Sequence, residues 1–202
     1  DVCSSDLREI FSMTFFTTNN CKKRLSKPIL LGVALAFTSV AGAGAPFGNK
    51  ADLEYAATLW SALETKGLVG ANPIYSKPYA GTEPHGFVLE TLEAKVTVGK
   101  HNNWAVVKRN YGPAGISTET VSNEREKHLK AVTVMFKRES GYDSDNQDWF
   151  WVKYAPDGSV LKNPKGMALA GRVAKGATKG CIACHQAAPG GDYLFVTDRI
   201  QP

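Results

Sequence analysis

Cys181-Ile182-Ala183-Cys184-His185 sets two thiols and an imidazole within five residues. In such a segment each thiol can add to a vinyl group of haem, and the adjacent histidine is then placed under the ring to ligate iron. With 4 Cys and 4 His among 202 residues, random placement would produce the pattern roughly two times in a thousand chains. A thioredoxin-like dithiol should follow a strand and open a helix, whereas here Gly176-Ala177-Thr178-Lys179-Gly180 leads in and Pro189-Gly190-Gly191 leads out. A zinc site wants four ligands. Beyond this pair the chain has only Cys3, Cys21 and the scattered His85, His101 and His128. The reading is one covalent haem c held by Cys181 and Cys184, with His185 as the axial iron ligand.

The motif fixes one side of the iron, and function depends on what stands over the other. Met135 and Met167 carry thioethers suited to a sixth position, but core packing is expected of the first and a loop contact of the second. His85, in Glu83-Pro84-His85-Gly86, suits a distal ligand or proton shuttle, and a surface loop is the plainer expectation. Arg172 and Lys175 precede the motif and suit haem propionates or solvent. Asp143, Asp145 and Asp148 lack the glycine and glutamate of a calcium loop and read as a hairpin turn.

The elements that must position these groups follow from pattern. Residues 1–12 precede Met13 and are expected to be a non-native leader. Residues 13–45 read as a secretory signal peptide: Lys22, Lys23, Arg24 and Lys27 precede an uncharged apolar run that ends in Ala41-Gly42-Ala43 or Ala43-Gly44-Ala45. Residues 46–202 form the expected haem domain, periplasmic, with no stable membrane span once the signal is cleaved. Cys3 and Cys21 fall in the leader, so no disulfide framework is expected. The net charge of +5 falls to about +3 without the leader, which gives no argument for nucleic acid.

Within the domain, Leu53, Ala56, Ala57, Trp60 and Leu63 recur at helical spacing from Asn49 to Lys66-Gly67. A loop rich in Pro, Gly and Tyr follows to about Gly86. Strands are predicted over Phe87–Val98, Trp104–Tyr111, Ala131–Arg138 and Trp149–Tyr154, with a short helix between Ser117 and Lys130. Neighbouring strands in sequence favour an antiparallel sheet. The fold class expected is α+β, mainly antiparallel sheet with flanking helices, and the segment from Pro164 onward is read as irregular.

Gly180-Cys181-Ile182-Ala183-Cys184-His185, Ala170-Gly171-Arg172-Val173-Ala174, Asp148-Trp149-Phe150-Trp151-Val152-Lys153-Tyr154 and Ala105-Val106-Val107-Lys108-Arg109-Asn110 together resemble the cytochrome P-460 and cytochrome c′-beta family. The resemblance implies a five-coordinate haem c on an antiparallel sheet, usually in a homodimer. It also implies chemistry on small nitrogen oxides: oxidation of hydroxylamine in members with a lysine bonded to the haem ring, and nitric oxide binding in those without it. Lys108 matches the cross-linking position, and alternation puts Trp104, Val106 and Lys108 on one face. Catalytic members need a distal proton acceptor; Gly171 to Gly180 holds no carboxylate, which leaves Glu90, Glu93 or Glu139 to supply one. Phe87, Phe136, Phe150, Trp149 and Trp151 are the candidates for an apolar cap. The expected function is a periplasmic mono-haem cytochrome that binds or transforms nitric oxide or hydroxylamine, served by a soluble redox partner. The alternative is a six-coordinate electron-transfer cytochrome.

Overall fold

The first helix of the domain is specified at both ends. Asn49 accepts from the Asp52 N–H (3.0 Å) and Asp52 accepts from the Asn49 N–H (3.3 Å), a reciprocal cap that opens α1, Lys50–Thr65. Gly67, at φ +67°, stops it in a conformation that residues with a Cβ rarely adopt. This is a computed structural model, and it describes residues 46–195. The expected leader, residues 1–45 with Cys3 and Cys21, lies outside the described residues.

Six strands follow in an antiparallel meander whose spatial order is the chain order: β1 Tyr79–Ala80, β2 Val88–Val98, β3 His101–Tyr111, β4 Leu129–Lys137, β5 Trp149–Tyr154 and β6 Ala170–Gly171. The architecture is the expected α+β sheet with flanking helices. β3 starts three residues before the predicted Trp104, because the two-residue turn Gly99-Lys100 pairs Val98 with His101 and carries the ladder through Asn102 and Asn103. β1 and β6, at two residues each, are too short to show a period. Between β3 and β4 the predicted short helix is two pieces, α2 Thr118–Asn123 and α3 Arg125–His128, broken at Glu124. The last helix, α4, is a single turn, Cys181–His185.

The sheet has two differently furnished faces. On one, Ala56, Leu59, Trp60 and Leu63 of α1 pack on Val107, Val134, Phe136, Phe150, Val152 and Tyr154. Each large side chain buried there contributes about 1.5–3 kcal/mol. The Tyr154 hydroxyl donates to the Ala56 carbonyl (2.8 Å), so the one polar atom of that ring is satisfied. At the end of this face Glu90 is fully buried, accepting from Arg109 Nη1 (3.2 Å), Tyr111 Oη (2.9 Å) and Arg125 Nε (2.6 Å). The opposite face gathers Val106, Met135, Trp149 and Trp151 with Val173, Ile182 and Tyr193 of the C-terminal segment.

Candidate functional site

A cavity of about 520 Å³ opens between this second face and the C-terminal segment. Cys181, Cys184 and His185 stand on α4 at positions i, i+3 and i+4, so one helical turn presents all three on the same side. Gly180 makes the turn possible: it sits at φ +138°, and a Cβ there would fall 2.5 Å from that of Ala174. Cys181, Cys184 and His185 all line the cavity. Both thiols are free, and burial pushes that of Cys181 above its usual range.

His185 is buried, and its Nδ1 lies 2.7 Å from the Tyr193 carbonyl. A carbonyl only accepts, so Nδ1 carries the proton and Nε2 carries the lone pair, the tautomer that a metal ligand requires. Trp151 meets the ring edge-on at 4.9 Å between centroids, and Phe195 at 5.4 Å. Trp151 lines the cavity, and its buried indole N–H has no hydrogen-bond partner among the described residues.

The sheet supplies the other wall. Cross-strand register aligns Thr91, Lys108, Thr133 and Lys153 in one row across β2, β3, β4 and β5, and all four line the cavity beside Val106, Met135 and Trp151. Lys108 is therefore on the cavity face, as alternation from Val106 predicts. Trp104, two residues earlier, is 48% exposed and stacks with Lys95. Lys153 belongs to no motif, but it alternates with Trp151 and so falls on the same face. Lys179 joins them from the loop before α4.

Several expectations are corrected. Glu90 serves buried Arg109 and partly buried Arg125 on the other face, and Glu139 is exposed beside Arg138; Glu93 is the carboxylate among the lining residues, at an exposed position. Phe136 and Phe150 pack under α1, where their parity puts them, and Phe87 is 43% exposed. Trp149 joins the apolar cluster of the cavity face without lining the cavity. Met135 is buried in the apolar cluster of the cavity face, the core packing expected of it, and also lines the cavity, whereas Met167 packs against that cluster without lining the cavity. Lys175 bonds Asp143 and Asp145, and Arg172 donates to the Tyr142 carbonyl. These cations clamp the 142–146 turn instead of facing the cavity. His85, expected on the surface, lines it. Burial, then the charges of Lys108, His185 and Lys153, push its pKa down to about 3.

Residues 90–196 match the Cytochrome P460 family, more than half of the 202-residue chain. The chain belongs to the cytochrome P460 family. Membership implies a haem cofactor. No curated protein and no solved structure matches the chain. The residues present fit a haem: apolar walls broad enough for a flat ring, two thiols beside an imidazole in the metal-binding tautomer, and an unpaired indole N–H. Among the described residues no three His, Cys, Asp or Glu side chains form a cluster that could hold a metal ion. No helix among them is long and apolar enough to cross a membrane.

Proposed function

We propose that the chain is an exported, periplasmic cytochrome with one haem c, bonded through Cys181 and Cys184 and ligated by His185, and that it binds or transforms small nitrogen oxides such as nitric oxide or hydroxylamine. The observation that carries the reading is the His185 tautomer, set by the Tyr193 carbonyl beside two free thiols in an apolar cavity. Bound there, haem supplies an iron whose remaining face takes up or activates a small molecule. The chain's own residues do the rest. Tyr193 holds the His185 ring by its Nδ1 proton and raises the basicity of Nε2. Val106, Met135 and Trp151 exclude water from the ring face. Lys108, Lys153 and Lys179 give the cavity a cationic border suited to propionates and small anions.

Lys108 also stands where the resemblance puts the lysine of a haem cross-link. With Glu93 exposed, no buried carboxylate is available as a proton acceptor among the lining residues, which favours binding over oxidation. Covalent haem attachment is completed outside the cytoplasm, in keeping with the signal-like leader. A soluble redox partner and a homodimeric assembly belong to the same reading. An electron carrier is the second reading, favoured by the presence of both His85 and Met135 in the cavity.

The test is haem staining after denaturing electrophoresis of protein made with c-type maturation. Wild type is expected to stain and the Cys181→Ala/Cys184→Ala double variant to lose the stain; full staining of the double variant would overturn the attachment. Adding nitric oxide to the haem-loaded ferrous protein separates the two functions, since a tightly six-coordinate electron carrier would keep its spectrum where an open iron would shift to that of the nitrosyl complex.

A further inference from the structure

The turn that joins β4 to β5 contributes nothing to the cavity lining, yet the segments that carry and flank His185 are all tied to it. Asn146 is its buried centre, 2% exposed. The Asn146 side chain meets the Asp143 carboxylate at 2.9 Å. A carboxylate only accepts, so the amide nitrogen faces Asp143 and the amide oxygen is left to accept. That oxygen accepts from Gln186 Nε2 at 3.1 Å. Gln186 is the residue after His185 and closes α4. The Tyr193 hydroxyl lies between Asn146 Oδ1 (3.4 Å) and the Asp145 carbonyl (3.3 Å), so its one proton goes to this turn with either partner. Tyr193 is the residue whose carbonyl holds His185 Nδ1, at 2.7 Å. Asn146 thus touches both the helix end that carries the ligand and the residue that orients it.

The neighbours of Asn146 extend the same grip. Gln147 donates to the Gly191 carbonyl, and Trp149 at the start of β5 donates its indole N–H to the Asp192 carbonyl (3.3 Å). Lys175, from the segment before α4, bonds Asp143 and Asp145. The backbone concentrates its unfavourable conformations in the same place. Among the described residues, the non-glycine positions with positive φ are Gln147 (+56°), Asp148 (+58°), Ala174 (+60°) and Tyr193 (+67°). Two lie in the turn, one is next to Lys175 and one presents the carbonyl to His185. Such conformations persist where the surroundings over-determine them, and they gather at functional sites. The Leu194 N–H on Asp192 Oδ1 (2.9 Å) closes the loop around Tyr193.

The hydrogen bond from Nδ1 sets how much negative charge an imidazole carries, and so how strongly Nε2 donates to a metal. A stronger donor favours ferric over ferrous iron, which lowers the reduction potential. We propose that Asn146 is a positioning residue for the axial ligand: by holding Gln186 and Tyr193 it keeps the Tyr193 carbonyl on His185 Nδ1 and the reduction potential low. The inference rests on the haem reading above and adds a control on the iron from outside the cavity.

The experiment measures the midpoint potential and the ferrous iron–histidine stretching band, by resonance Raman, of haem-loaded wild type, Asn146→Ala, Tyr193→Phe and Phe150→Ala. Asn146→Ala is expected to favour reduction at least about threefold, an upward shift of about 30 mV at 59 mV per tenfold, with the band at lower frequency. Tyr193→Phe keeps the carbonyl and loses the hydroxyl anchor, so it should shift both readouts the same way by less. Phe150→Ala loosens the opposite face and should move neither. An Asn146→Ala protein with the wild-type potential and band overturns the proposal. So does a Phe150→Ala shift of equal size, since general loosening then accounts for both. Where a sixth ligand silences the band, the potential decides. Should Asn146→Ala fail to fold, Tyr193→Phe decides, and unchanged values there overturn the proposal. Denaturing haem stain on the same samples keeps the two failures apart: an unstained wild type sinks the haem reading, and stained proteins with unchanged potentials sink only the role of Asn146.

Discussion

The two faces of the sheet are made by the same strands and the same alternation, but only one of them is closed by the protein. Under α1 the residues are Val107, Val134, Phe136, Phe150 and Val152, all nearly or fully buried. One residue away in each strand, the other face carries Lys108, Thr133 and Lys153 among Val106, Met135 and Trp151. Polar and charged side chains are costly to bury in a closed apolar core, so a row of them marks the face where the chain stops packing against itself. One face fixes the fold, and the other is shaped around something that is not polypeptide.

That division is broken most severely by changing the closed face. Phe150→Ala should lower unfolding free energy by about 3–5 kcal/mol, read by urea denaturation, while leaving the haem absorption of the surviving folded protein unchanged. Glu90→Ala should cost about 3 kcal/mol, because Arg109 is left as an uncompensated buried charge; an increment below about 1 kcal/mol would mean that water enters that cluster. On the open face the order of effects reverses. Met135→Ala should cost under about 2 kcal/mol in the haem-free chain, since its side chain borders space already open, and yet should shift the haem band. Lys108→Met, close in volume, should alter stability by less than about 1 kcal/mol. It should also remove any residual mass bridging β3 to the haem after proteolysis. A haem-linked Lys108 peptide in wild type that disappears in the variant would identify the cross-link, and its absence from wild type would place the chain with the non-cross-linked members.

Most of this contrast can be read in the sequence, with one gap. Strand periodicity gives the parity within each strand, and it correctly puts Val106 and Lys108 together. It does not give register, and register decides that Lys108 faces Thr133 and that Met135 and Trp151 belong to the same side. Without it, Phe136 and Phe150 are as plausible as Trp151 for a cavity wall. Glu90 reads as a spare carboxylate until its direct partner is known to be Arg109. The cysteine motif is local and is legible in full. His85 is the opposite case: it sits in an irregular loop whose placement depends on the Gly81, Phe87 and Tyr111 backbone bonds, and no pattern in 81–87 signals them. The clamp formed by Lys175 on Asp143 and Asp145 joins segments some 30 residues apart, beyond the reach of any motif.

The central claim is that the open face and the α4 turn hold one covalent haem. Its most direct test is the intact mass of the denatured chain, made with c-type maturation and extracted with acidified organic solvent, alongside the masses of Cys181→Ala and Cys184→Ala. The account predicts a mass increase of one haem that survives extraction in wild type and is lost when both cysteines are replaced. A wild-type chain that leaves extraction at its polypeptide mass would contradict it.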